Sequence, residues 1–206
     1  MKALILGAGY ATRLYPLTKT QPKPLLPVAG RPMVEWILDR INAVETIDTV
    51  YLVSNHTFHS HYREWLAGYK AAKPVEILDD GTTSDANKRG AVGDLRWVVG
   101  EKGIDDDLLV VAGDNLFDLD LTRFVAFQKK KKTPIVALKD FKDRNLISQY
   151  SVVTLDTSGK ITNFDEKPAF PKTTLISICL YLFPKDQLGL LEEYAKAGGK
   201  QDQPGY

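Results

Sequence analysis

The stretch KALILGAGYATRL, residues 2–14, decides how the chain is read. Ala3-Leu4-Ile5-Leu6 is a continuous apolar run of strand length, and Gly7 and Gly9 follow it at once. A short strand with no polar residue is buried on both faces, as in a parallel sheet covered by helices. The loop that leaves such a strand lies at the carboxyl edge of the sheet, where open α/β folds bind ligands. Gly7 and Gly9 would let backbone N–H groups approach an anion with no side chain in the way. A dinucleotide turn would need a third glycine at position 12, but Thr12 stands there and Arg13 follows. The lysine-containing loop of P-loop proteins is absent too.

A few residues on, Pro22-Lys23-Pro24 places a lysine between two prolines. Arg13 offers a planar fork of donors for phosphate oxygens, and Lys23 a compact charge. The flanking prolines stiffen the backbone that carries the amine. Two cations with backbone donors suit the charge that develops in phosphoryl or nucleotidyl transfer. On spacing alone, a tight turn with two solvated basic residues is the competing reading.

The rest of the chain extends the strand–helix rhythm. Apolar strands are expected at Val50–Val53, Val75–Leu78, Leu108–Ala112 and Ile135–Leu138. Helices are expected from Pro32 through Val44, over Phe58–Tyr69, over Ala91–Val99 and over Leu121–Lys132. After about Asp140 the pattern turns strand-rich. Ser151–Leu155 and Ile161–Phe164 flank Thr157-Ser158-Gly159-Lys160 as a hairpin, Leu175–Phe183 is a long strand, and Pro184 opens a last helix. The fold expected is α/β: a Rossmann-like, mostly parallel mixed sheet with helices on both faces. One domain spans 1–206, with a nucleotide-binding half at 1–140 and a strand-rich half at 141–206.

Composition narrows the partners. With 44% hydrophobic and 26% charged residues the chain reads as an ordinary globular protein. A formal net charge of +1 gives no basic field for nucleic acid. The single cysteine, Cys179, excludes an internal disulfide. The apolar runs are far too short for a membrane span, and no signal peptide is read at the start, so a cytoplasmic protein is expected.

The residues Gly7-Ala8-Gly9-Tyr10-Ala11-Thr12-Arg13-Leu14, then Pro22-Lys23-Pro24-Leu25-Leu26-Pro27-Val28 and Gly30-Arg31-Pro32-Met33, resemble the signature of the sugar-1-phosphate nucleotidylyltransferases. This family is also called the NDP-sugar pyrophosphorylases. Gly113-Asp114, Phe164-Asp165-Glu166-Lys167-Pro168 and Tyr181-Leu182-Phe183-Pro184 appear in the expected order. The resemblance implies the nucleotide-diphospho-sugar transferase type of sheet and a Mg²⁺-dependent step in nucleotide-sugar biosynthesis. A sugar 1-phosphate attacks the α-phosphorus of a nucleoside triphosphate, and pyrophosphate leaves. It implies roles as well. Arg13 holds the β/γ-phosphates, Lys23 neutralises the reacting phosphates, and Asp114 binds Mg²⁺, with Asp202 a second metal ligand. Leu6, Gly7, Ala8, Gly9, Tyr10, Asp85, Gly90 and Ala91 bind the nucleotide. Glu166 accepts from sugar hydroxyls and Lys167 meets the sugar phosphate.

The sequence also departs from that pattern. Ala11 stands where glycine is usual, which alanine tolerates at negative φ, and a slightly altered loop is expected. Asp85 stands where a base-reading glutamine is common. A carboxylate has no N–H donor and cannot read uracil or thymine as a carboxamide does, but it can accept from guanine or cytosine amino groups. The polar stretch Asp79–Asn87 is expected as a loop over the nucleotide. Cys179 occupies a position often held by glycine and is expected to be a buried, inert thiol. His56, His59 and His61 suggest a metal cluster at first sight, but surface or capping roles are expected. Lys129–Lys132 reads as a solvated helix end. Relatives continue beyond the last residue through another strand and helix, so a shortened C-terminal part is expected. The alternatives are a nucleotide- or sugar-phosphate-binding regulatory module without turnover, or a transferase acting on a non-sugar phosphate such as phosphocholine. The base, the sugar and the oligomeric state, a homo-oligomer included, stay open.

Overall fold

The computed structural model describes residues 1–143 and 146–198. In chain order its strands and α-helices are β1 (Lys2–Leu6), β2 (Pro27–Val28), β3 (Arg31–Pro32), α1 (Met33–Asn42), β4 (Thr49–Ser54), α2 (His59–Gly68), β5 (Val75–Asp79), α3 (Gly90–Glu101), β6 (Leu108–Ala112), α4 (Leu121–Lys131), β7 (Ile135–Asp140), β8 (Ser151–Leu155), β9 (Ile161–Glu166), β10 (Leu175–Phe183) and α5 (Leu190–Lys196). Eight strands form one sheet in the order β5-β4-β1-β6-β10-β8-β9, with β7 also paired to β10. The pairs β5–β4, β4–β1 and β1–β6 are parallel, and β10, β8 and β9 run antiparallel to their neighbours. This is the mostly parallel mixed sheet expected from the sequence.

The apolar strands are buried on both faces because alternate residues feed two cores. Ala3, Ile5, Val50, Leu52, Leu109 and Val111 pack on one face with Val34, Ile37 and Ile41 of α1, Tyr62 of α2 and Phe124 of α4. Leu4, Tyr51, Val53, Leu108 and Val110 pack on the other with Leu95 and Val98 of α3 and Leu191 of α5. A buried apolar side chain contributes about 1.5–3 kcal/mol, so these two layers hold the sheet edge that carries the loops.

Several element ends differ from the periodicity. Pro32 pairs with Pro27 across a two-residue hairpin and precedes the helix instead of starting it. The hairpin loop, Ala29 and Gly30, has φ +50° and +85°, the double left-handed geometry of a tight hairpin. Val44 lies past α1, where its N–H bonds the Ile41 carbonyl at 3.0 Å. Phe58 closes a 3₁₀ turn capped by Asn55, and α2 begins at His59. After Pro184 a 3₁₀ turn, Lys185–Gln187, precedes α5. Lys132 ends α4 in a left-handed conformation, with the three preceding lysines in the last turn.

Strand β10 is the hinge between the two parts of the sheet. It borders β8 at Ile176 and β6 from Leu180 to Phe183, and its register with β7 shifts between Ser177 and Tyr181. Cys179 sits inside that bulge at φ +52°.

Candidate functional site

Three loops meet at the carboxyl ends of β1, β4 and β6. Gly113 explains how closely they approach. A Cβ there would lie 2.8 Å from the Leu6 carbonyl oxygen and 2.9 Å from Cγ of Pro24. Without one, the Gly113 N–H bonds the Leu6 carbonyl at 2.8 Å, and the proline-flanked loop packs on the end of β6. The next residue, Asp114, then faces Lys23, whose Nζ donates to Oδ2 at 2.7 Å. The proline brace is present: Pro22 caps a 3₁₀ turn over Lys23–Leu25, and Gln21 donates to the Leu25 carbonyl at 2.8 Å. Leu6, Gly7, Gly9, Ala11, Lys23, Pro24 and Asp114 enclose a cavity of about 170 Å³.

The two loop glycines serve different ends. Gly9 is exposed, and a Cβ there would meet nothing within 4 Å, which leaves room for a ligand beside its backbone. Gly7 is buried, and a Cβ there would lie 2.8 Å from the Tyr62 hydroxyl and 3.0 Å from the Val53 carbonyl. The room on that side of Gly7 is therefore filled by Tyr62 and the Val53 carbonyl, while Gly7 still lines the cavity. Ala11 has φ +47°, so the negative φ that would suit alanine is not adopted. Its carbonyl accepts from the Thr18 hydroxyl at 2.8 Å and the Leu14 N–H at 2.9 Å, which holds the residue in this conformation.

Leu6 also walls a second cavity of about 560 Å³, together with Ala91, Val110, Phe164, Cys179 and Tyr181. Burial, and then the field of Asp114, pushes the Cys179 thiol up to about 12. Cys179 is half-buried on the wall of this cavity, not fully buried as the sequence suggests. Burial also raises Tyr181, with Cys179 and Glu166 adding to the push. Glu166 accepts from the Ser151 hydroxyl and pairs with Lys167 at 3.2 Å. Lys167 itself has φ +47°, and its N–H bonds the Tyr150 carbonyl at 3.2 Å. Gly90, at φ +76°, opens α3 in a conformation that glycine adopts without strain.

The expected residues therefore fall into groups. Leu6, Gly7, Gly9, Lys23 and Asp114 share one cavity, and Ala91 joins Leu6 on the second. Ala8 and Tyr10 are buried beneath the loop, Tyr10 donating to Thr82 at 3.4 Å. Arg13 is exposed on a 3₁₀ turn and lines neither cavity, with no ion pair among the described residues. Asp85 is exposed, pairs with Lys88 at 3.3 Å and lines neither cavity, so the structure does not bring it to the site. Asp202 lies outside the described residues. His56 pairs with Asp79 at 2.7 Å and His59 approaches Ser54 at 3.5 Å, and among the described residues no His, Cys, Asp or Glu group is arranged to hold a metal by itself.

Sequence reasoning missed four residues that shape the site: Asn55, Tyr62, Asn115 and Ser151. Asn115 donates to the Ile178 carbonyl and ties the Asp114 loop to the β10 bulge. Asn55 caps the turn at Phe58, and no local pattern shows that it also reaches the first loop.

A glycine loop and a braced Lys–Asp pair thus stand at the carboxyl edge of an α/β sheet, where open α/β folds bind ligands. The chain belongs to the nucleotidyl transferase family, whose family model matches residues 2–204. It is 31% identical over 194 residues to the bifunctional protein GlmU of Methanocaldococcus jannaschii, covering 94% of this chain and 42% of that protein. It is 30% identical over 215 residues to a UTP–glucose-1-phosphate uridylyltransferase of Synechocystis, covering 100% of this chain and 53% of the relative. The chain thus spans about half the length of these curated relatives. A UDP-glucose pyrophosphorylase solved with UDP-glucose superposes with a TM-score of 0.74 at 20% identity, over 93% of this chain and 79% of that one, and shares the fold. No helix among the described residues is long and apolar enough to cross a membrane.

Proposed function

We propose that this chain carries the nucleotidyl-transfer centre of a sugar-1-phosphate nucleotidylyltransferase. The observation that carries the reading is the Lys23–Asp114 pair, 2.7 Å apart in the cavity beside Gly9. A cation and a carboxylate held together suit a reaction in which phosphates and their metal arrive as one. The relatives named as acting on UTP and glucose 1-phosphate support the same class.

Asp114 fits Mg²⁺. Its Oδ2 accepts from Lys23, and its Oδ1 has no hydrogen-bond partner among the described residues. Magnesium takes one or two carboxylates and completes its shell from phosphate oxygens and water. When bound, the ion supplies charge neutralisation between the phosphates. Lys23 then turns to the α-phosphate oxygens, where charge grows as the sugar phosphate attacks and pyrophosphate departs. Arg13, on its exposed turn, closes on the β- and γ-phosphates. Residues 1–140 form the nucleotide-binding half, with Gly90 and Ala91 beside the nucleoside. The part from 141 onward supplies Glu166 for sugar hydroxyls and Lys167 for the sugar phosphate.

The test is pyrophosphate release with Mg²⁺, the four common ribonucleoside triphosphates plus dTTP, and a panel of sugar 1-phosphates, with phosphocholine as a non-sugar comparison. Release with one sugar pair is expected, and Asp114→Asn and Arg13→Ala should each lower it on the order of 100-fold. Absence of release with every pair would refute turnover and leave a binding module.

A further inference from the structure

Two buried side chains grip consecutive carbonyls of the first loop. The Tyr62 hydroxyl donates to the Gly7 carbonyl at 3.0 Å, and the Asn55 Nδ2 donates to the Ala8 carbonyl at 2.9 Å. Both residues are 0% exposed. The orientation of Asn55 follows from its second bond, since its Oδ1 accepts from the Phe58 N–H at 2.9 Å and the amide must then present its NH₂ to Ala8. Burial, with Asp114 adding to it, raises the Tyr62 phenol well above its ordinary range, so it remains a donor.

A trans peptide is planar, and its N–H points opposite to its C=O. A Gly7 carbonyl held toward Tyr62 aims the Ala8 N–H away from Tyr62, toward the opposite face of the sheet. An Ala8 carbonyl held toward Asn55, at the end of β4, aims the Gly9 N–H away from β4, toward the side where β6 carries Asp114. Neither N–H has a hydrogen-bond partner among the described residues, whereas the Gly7 N–H is taken by the Val53 carbonyl at 2.9 Å. Two successive N–H groups without a partner among the described residues are free to donate to an anion.

We propose that Asn55 and Tyr62 are positioning residues that hold the Ala8 and Gly9 amides as a preformed seat for a phosphate oxygen of the polyphosphate ligand. Neither touches the ligand. Each fixes a peptide plane in advance, so no loop ordering is required when the anion binds. The proposal rests on the proposed function only in taking the anion to be the nucleotide's phosphate, and it is tested without turnover.

The experiment is calorimetric titration of inorganic triphosphate into the unaltered chain, Tyr62→Phe and Asn55→Ser, with melting temperatures recorded for each. Both substitutions leave charge unchanged. Serine keeps an oxygen that can accept from Phe58 but is too short to reach the Ala8 carbonyl. A purely structural capping role therefore predicts full affinity in Asn55→Ser, whereas a positioning role predicts loss. We expect affinity about tenfold weaker in each variant, at temperatures well below its melting point. Unchanged affinity in both, whatever the change in melting temperature, would overturn the proposal, as would failure of the unaltered chain to bind triphosphate. Binding that weakens as expected in a chain that releases no pyrophosphate would uphold the seat and refute turnover.

Discussion

Ala11→Gly should stabilise the protein. Ala11 sits at φ +47° and ψ +41°, fully in the left-handed region. A Cβ there crowds the following carbonyl and costs roughly 1–2 kcal/mol. Glycine removes that cost but gives the unfolded chain more freedom, worth about 0.4–1 kcal/mol in the other direction. The difference is about 1 kcal/mol in favour of the variant. For a chain of this size that corresponds to a melting temperature about 2–4 °C higher. The backbone bonds that impose the conformation, from Thr18 and Leu14 to the Ala11 carbonyl, are untouched by the change. Scanning calorimetry, with urea titration as a second measure, reads the effect. A melting temperature unchanged or lowered by the substitution would overturn this prediction and mean that the methyl group contributes more by packing than it costs in strain.

Gly113→Ala should act in the opposite sense: its Cβ would press on the Leu6 carbonyl at 2.8 Å and on Pro24 at 2.9 Å, and a loss of about 1–3 kcal/mol is expected in the same urea titration. Lys23→Met should leave the melting temperature within about 2 °C, because partly exposed ion pairs add little to stability, while pyrophosphate release falls on the order of 100-fold. The Cys179 thiol, raised by burial from 9.0 to about 12, should resist a disulfide reagent at pH 8 in the native state and react at once in urea. The same shift sets a pH dependence. The native state keeps this proton longer than the unfolded chain does, so its contribution to stability is complete below about pH 9 and erodes as pH rises toward about 12, which alkaline urea titrations of the native chain and Cys179→Ala would separate.

The alternation of apolar strands with amphipathic segments was enough to read the parallel half, because each strand there is buried by helices on both sides. Leu4 and Ile5 are both fully buried although they face opposite layers. Helix ends were less legible. Pro32 looked like a first helical residue, but its pairing with Pro27 is a tertiary choice that favours a hairpin. At the site, Lys23 and Asp114 could be named because each sits in a distinctive local pattern, and their 91-residue separation closes through packing at Gly113. A glycine motif shows only that space is needed, not what fills it: at Gly7 the Tyr62 hydroxyl and the Val53 carbonyl take the room a Cβ would need. Asn55 and Tyr62 act through backbone atoms 47 and 55 residues away, which leaves no mark in either sequence neighbourhood.

The β10 bulge connects the halves chemically as well as structurally. An unbroken antiparallel strand beside β6 would continue the ladder past Ala112 and cover the end where Asp114 emerges. The register shift between Ser177 and Tyr181 stops the β6 pairing at Leu180, and β8 borders the strand from Ile176. Asn115 then bonds the Ile178 carbonyl inside the interruption, which fixes the Asp114 loop against the strand that leads to β8 and β9. Ser151 and Glu166 lie opposite each other across β8 and β9 and bond to one another. Any shift of the bulge would move Asp114 and the Glu166–Lys167 corner relative to each other. Cys179, at φ +52°, sits in that connection and lines the larger cavity. The bulge thus does more than turn a strand: it sets the position of the Asp114 loop relative to the Glu166–Lys167 corner.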